Sequence, residues 1–199
     1  MASKFNLKIE NAVLTFRNFA GEDRNGVRSN GRRSFAVYLD GLDRTGKMFE
    51  NPEDMPMYKY GGKILTPEEL YSALTEDKWN VRFWPKEEVV NEDGTVRTPR
   101  PFITVNVKFA PEGSPRAYYN PQLVMAREDG GLTPYGEEGA AVFDTVWIKT
   151  ANVIIRPYNY QERDGIFDGK VSADLYKLFV VPVEDDMDDD DDFYEGYRH

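Results

Sequence analysis

A chain of 199 residues without a single cysteine excludes a disulfide framework, a thiolate metal site and a cysteine nucleophile, and its length suits one core with elaborations. The formal charge of −10 is uneven: residues 184–199 hold nine acids against one arginine, leaving 26 acidic and 24 basic residues elsewhere, and Met1–Lys47 carries nine Lys/Arg against five Asp/Glu. Met1–Phe16 alternates Lys and Asn with apolar residues and contains no long apolar run, so the expectation is an intracellular protein with neither a signal peptide nor a membrane span.

Phe5, Leu7 and Ile9 share the face of a half-buried strand, and a second apolar stretch, Val13–Phe16, continues or pairs with it. Phe35, Val37 and Leu39 alternate with Ser34, Ala36 and Tyr38. Thr66, Pro67 and Glu69 form a capping box with proline at the first helical position, and Leu70, Ala73 and Leu74 then share one helix face. Trp79, Val81 and Phe83 alternate again, as do Ile103, Val105, Val107 and Phe109. A weaker helical turn is expected around Glu137–Phe143, then a strand through Val153 and Ile155 and a last one from Val171 to Val183. Asn25-Gly26, Asp93-Gly94, Asp129-Gly130-Gly131 and Asp164-Gly165 mark turns between these runs. The pattern predicts a mostly β body, residues 1–183, as a five-stranded barrel with insertions and one or two short helices; a sandwich reads similarly. Residues 41–62 and 112–141 receive no assignment.

Catalysis finds little footing. The single histidine, His199, is the last residue, where no neighbour sets its pKa. Gly21–Gly26 has the spacing of a phosphate loop, but Val27-Arg28 stands where Lys-Ser/Thr is needed. No register of the aspartate run places glycine at the sixth position of a calcium loop. The expectation is a protein that is not an enzyme, with no catalytic residue, metal site or cofactor.

Two features point to nucleic acid. Arg17, Arg24, Arg28, Arg32 and Arg33 cluster in a Gly/Asn-rich stretch with Phe19, where guanidinium groups can pair with phosphate and stack on bases. Strand parity supplies the other. If odd-numbered residues form the core, the opposite faces carry Arg32 and Tyr38, Arg82 and Trp84, Phe102 and Lys108, and Arg156, Tyr158 and Tyr160. Flat rings with cations alongside are what sequence-tolerant binding of a single strand requires. The competing reading buries these aromatics in a second apolar layer.

Residues 184–199 form a tail whose five consecutive aspartates, Asp188, Asp189, Asp190, Asp191 and Asp192, repel one another and are expected to be disordered. Phe193 and Tyr194 follow them, which suggests an anchor for a partner pocket or for the protein's own cationic groove, in competition with DNA.

Taken in order, Phe16–Ala20 (FRNFA), Arg33–Asp40 (RSFAVYLD), Ala151–Tyr160 (ANVIIRPYNY), Ala173–Val181 (ADLYKLFVV) and the acidic run resemble the phage-encoded single-stranded-DNA-binding proteins, which pair an oligonucleotide-binding (OB-fold) Greek-key barrel with an acidic C-terminal tail. The resemblance implies protection of exposed strands during phage DNA replication, recombination or repair in the cytoplasm of an infected bacterium. It also implies single-stranded DNA as the partner, and contact with phage or host replication proteins through the tail; self-association is compatible with it. The alternative from another class is a structural or assembly protein of a virion, with the same tail preventing premature DNA contact.

Overall fold

The computed structural model describes residues 5–82, 88–158 and 169–184. In chain order they form β1 (Leu7–Glu10), β2 (Leu14–Asn18), β3 (Arg33–Tyr38), β4 (Met57–Tyr60), β5 (Lys63–Leu65), α1 (Pro67–Glu76), β6 (Val81–Arg82), β7 (Val89–Val90), β8 (Val96–Arg97), β9 (Phe102–Val107), β10 (Gln122–Ala126), β11 (Leu132–Tyr135), β12 (Ile148–Tyr158) and β13 (Ser172–Pro182). Single turns of 3-10 helix occupy Pro52–Asp54 and Pro115–Tyr119, and a longer 3-10 segment, Glu137–Asp144, stands where the weaker helical turn was expected. The described residues are mostly β, as the alternation predicts.

Eleven strands join one sheet in the order β2-β3-β9-β13-β12-β1-β4-β5, with β10 and β11 attached through β13 and β6 attached to β9, while β7 and β8 pair apart. Its hydrogen-bonded path is open and is not closed into a five-stranded barrel. The break has a local cause. Asn11 sits at φ 52°, in the left-handed region, and turns the chain between β1 and β2 so that the two strands pair with different neighbours. The residues in the bend stay bonded to both sides: the Ala12 amide donates to the Ala151 carbonyl at 2.7 Å and the Tyr38 amide to the Val13 carbonyl at 3.1 Å.

The longest strands, β12 and β13, organise the sheet. β13 runs antiparallel to β12 along its length, parallel to β9 at Ala173 and Asp174, and parallel to β10 from Lys177 to Val180. Opposite Ile154 and Ile155, β13 offers Lys177 and then Leu175, which leaves Tyr176 as the extra residue of a bulge. That extra residue switches the buried parity from Ala173 and Leu175 to Leu178 and Val180.

Alternating residues of the main strands fill the core: Leu7 and Ile9, Phe35 and Val37, Ile103, Val105 and Val107, and Val153 and Ile155. Helix α1 closes one side with Leu70 and Leu74 buried, and its N-terminus is capped as expected, the Thr66 hydroxyl accepting from the Glu69 amide at 3.3 Å. Trp79 departs from its expected strand. Its ring is buried, its Nε1 donates to the Tyr60 hydroxyl at 3.0 Å, and only Val81 and Arg82 after it pair with β9. Phe83 lies outside the described residues. Of the two unassigned stretches, the first supplies β4, which pairs with β5 just beyond it, and the second supplies the β10–β11 hairpin. Among the described residues no helix is long and apolar enough to cross a membrane.

Candidate nucleic-acid interface

On β9 the buried Ile103, Val105 and Val107 alternate with Phe102, Thr104 and Asn106, so the second set faces outward. Directly paired residues share a face, and the register therefore extends this surface across the sheet. Tyr38 of β3 and Arg82 of β6 flank Phe102 on its two sides. Four residues further along β9, Ser34, Asn106, Asp174 and Arg156 line up over β3, β9, β13 and β12. At roughly 3.4 Å per residue, the stretch from Phe102 to Lys108 is about 20 Å long.

The rings on this surface are held in place by their neighbours. The Phe16 ring centroid lies 5.5 Å from that of Phe102. The Arg100 guanidinium sits 3.6 Å above the Tyr38 ring, fixed by Asp40 through bonds of 2.8 Å from Nε to Oδ2 and 2.9 Å from Nη2 to Oδ1. Burial opposes the charge on Arg100, but the hydrogen bonds and charge of Asp40 outweigh it and raise the guanidinium's pKa. Behind Tyr38, the Tyr58 hydroxyl donates to the Tyr38 carbonyl at 3.2 Å and accepts from the Gly41 amide at 3.1 Å. Burial pushes the Tyr58 pKa up, so it remains a neutral donor.

The far end of the surface mixes rings and cations more densely. Lys108 Nζ lies 4.3 Å from the Tyr158 ring centroid and pairs with the Asp174 carboxylate at 3.0 Å. Asp174 is only 7% exposed, so the pair lies partly below the surface. Arg156 lies 5.5 Å from the Tyr119 ring and 5.7 Å from that of Tyr176, and its Nη2 donates to the Tyr119 carbonyl. Pro157 leaves β12 intact through Tyr158, so the parity assigned to Arg156 and Tyr158 survives it.

Of the residues predicted from the sequence, Tyr38, Arg82, Phe102, Lys108, Arg156 and Tyr158 are thus brought onto one surface. Arg28 and Arg32 are exposed on the loop between β2 and β3. Trp84, Tyr160, the aspartates Asp188, Asp189, Asp190, Asp191 and Asp192, and Phe193 and Tyr194 lie outside the described residues.

Three predicted contacts are corrected. Phe19 is fully buried, stacked on Phe35 with centroids 5.1 Å apart and planes 14° apart, and packed against Phe143 at 5.5 Å, so its ring cannot reach a base. Arg17 is turned inward. Its Nη1 donates to the carbonyls of Phe143 at 2.9 Å and Val146 at 2.8 Å, and burial, followed by the charge of Arg44, lowers its pKa against the opposing pull of Asp144. Arg33 has the parity of Phe35 rather than of Tyr38; it pairs with Glu137 at 3.1 Å and lies 6.0 Å from the Phe109 ring. Arg24, from the same cluster, is held by Asp144 at 3.0 Å.

The sequence reading missed Phe16, Arg100, Tyr119 and Tyr176. Arg100 is two residues before Phe102, so extending the same parity would have found it, whereas Tyr176 is the extra residue of the β13 bulge. Tyr119 lies in an unassigned stretch and had no such signal. Among the described residues, no group of three or more His, Cys, Asp or Glu is placed to hold a metal ion. No family model, curated protein or solved structure matches the chain.

Proposed function

We propose that this chain is a sequence-tolerant single-stranded-DNA-binding protein of the oligonucleotide-binding type, a binding module rather than an enzyme. The observation that carries the reading is the single outward surface on which Phe16, Tyr38, Phe102 and Tyr158 alternate with Arg82, Lys108 and Arg156. Bases would stack on the rings and phosphates would follow the cations, a division of labour that tolerates any sequence because every base has a π-face. Protection of exposed strands during phage replication, recombination or repair, with the acidic tail competing for the surface and recruiting partners, is the role the family resemblance adds.

The order of the strands supports the finer fold reading. If β1 and β2 are counted as one strand bent at Asn11, the principal strands run β1/β2-β3-β9-β13-β12 and return to β1 through the Leu7↔Ile155 pairing. The bonds from Ala12 to Ala151 and from Tyr38 to Val13 favour treating the bend as continuous. In a partly open Greek-key barrel of this kind, the second and third strands and the loop after the first strand form the oligonucleotide surface. Under that numbering these are β3, β9 and the loop carrying Arg28 and Arg32.

The test is a pair of substitutions read by titration with an oligo-thymidine strand at two salt concentrations. Tyr158→Ala should weaken binding by about 1–3 kcal/mol at both salts, the scale of one stacked base. Arg82→Ala should instead flatten the dependence of log K on log salt by roughly 0.7, one phosphate contact's worth for a single strand. Wild-type affinity and slope in both variants would place the strand elsewhere.

A further inference from the structure

The two edges of the bent first strand leave a groove that meets the proposed surface only at Phe16. β1 stays beside β12 as far as the Ala12–Ala151 hydrogen bond; beyond it β2 turns toward β3 while the first residues of β12 remain with β13. The opening has a volume of about 700 Å³ and is lined on one wall by Phe16 and on the other by Trp147. Both rings face solvent, at 66% and 71% exposure. A wet indole and a wet phenyl on the walls of one groove are an unusual use of apolar surface unless something covers them.

Charge and backbone geometry narrow what covers them. Lys149 is the extra residue where the β12–β13 register shifts between Ile148 and Thr150, and such a bulge re-aims a side chain. It and Arg44 line the groove, and neither forms an ion pair among the described residues. Of the lining acids, Asp43 accepts from the amides of Thr45 at 2.8 Å and Lys47 at 2.9 Å, and Asp144 accepts from the amides of Phe19 and Ala20, so both are satisfied within the protein and Asp54 is left. Phe16 is held at φ 47°, a conformation that costs a non-glycine residue energy and that recurs at ligand clamps.

We propose that this groove is a second subsite for the nucleic-acid strand, in which a base stacks on Trp147 and phosphates meet Lys149 and Arg44. The proposal rests on the single-strand reading above. Phe16 connects the two regions, since its ring belongs to the groove wall and also packs against Phe102 on the outer surface. A strand crossing β9 and β3 would therefore continue over Phe16 into the groove without leaving aromatic contact. The acidic chain end is the competing occupant, because the Val183 amide bonds the Trp147 carbonyl at 2.8 Å and the chain leaves β13 beside the groove.

The experiment is a length series of labelled oligo-thymidine, from about 4 to about 16 nucleotides, the range that one fold of this type covers. It is run on the full chain and on Trp147→Ala, Trp147→Phe and Lys149→Ala. The proposal expects both alanine variants to bind the shortest bound strand as wild type does and to weaken for the longer ones, Trp147→Ala by about tenfold, one stacking contact's size, and Lys149→Ala with a salt slope flatter by roughly 0.7, one phosphate contact's worth. Trp147→Phe should restore most of the stacking loss. Wild-type affinity of Trp147→Ala at every length would overturn the subsite and leave the outer surface standing. Tighter binding of Trp147→Ala at every length would also overturn it, by assigning the groove to the acidic chain end. If the wild-type chain binds no strand of any length, the single-strand reading itself fails.

Discussion

Phe19→Ala should lower the unfolding free energy by about 3–5 kcal/mol, the cost of emptying a large buried aromatic site. The expectation follows from its position rather than its type. Phe19 is fully buried between Phe35 and Phe143, and the backbone on either side cannot readily collapse into the space, since the Phe19 and Ala20 amides are both bonded to Asp144, at 2.7 Å and 3.0 Å. Equilibrium denaturation by urea measures the loss, and strand binding by the fraction still folded should be near wild type. A variant as stable as wild type but deficient in binding would return Phe19 to the interface.

Arg100→Ala should be nearly as damaging, at about 3 kcal/mol, by another route. The Asp40 side chain is 1% exposed and its two oxygens are engaged by Arg100 Nε and Nη2. Removing the guanidinium takes the bidentate cation from a buried carboxylate, which costs more than the pair contributed, the low end of the usual range applying because the Leu42 amide still donates to Asp40 Oδ1 at 3.1 Å and Arg100 keeps some exposure. It also frees the Tyr38 ring, over which the guanidinium lies. The discriminating comparison is the double variant Asp40→Asn/Arg100→Met. It should recover much of the stability while strand affinity stays reduced, because the ring is still unsupported. Losses in the double variant equal to the sum of the two single ones would show that the pair is not coupled.

How far the sequence could be read depends on where the alternation was interrupted. The six residues of β9 keep strict parity and pair with β3 without a slip, so Phe102 and Lys108 were placeable from the pattern alone. The capping box before α1 was equally legible, because both of its signals are local. Three interruptions were not. The bulges at Lys149 and Tyr176 each add a residue that no period-two count can foresee, and the positive φ of Asn11 and Phe16 redirects the first strand through backbone geometry. The arginine cluster misled for a related reason: guanidinium groups bind carbonyls and carboxylates as readily as phosphate, and Arg17, Arg24 and Arg33 each find a carbonyl or carboxylate in residues 137–146, more than a hundred positions away. Trp147 escaped notice because it precedes the recognisable strand and has meaning only beside Phe16.

The most direct test of the single-strand reading is titration of the full-length chain with a fluorescently labelled oligo-thymidine strand, at low and moderate salt, with unlabelled duplex of the same length as competitor. The account predicts binding at low salt that weakens as salt rises and that duplex displaces poorly. No binding at low salt, together with assembly of the protein into large particles without DNA, would contradict it and favour the virion structural protein instead.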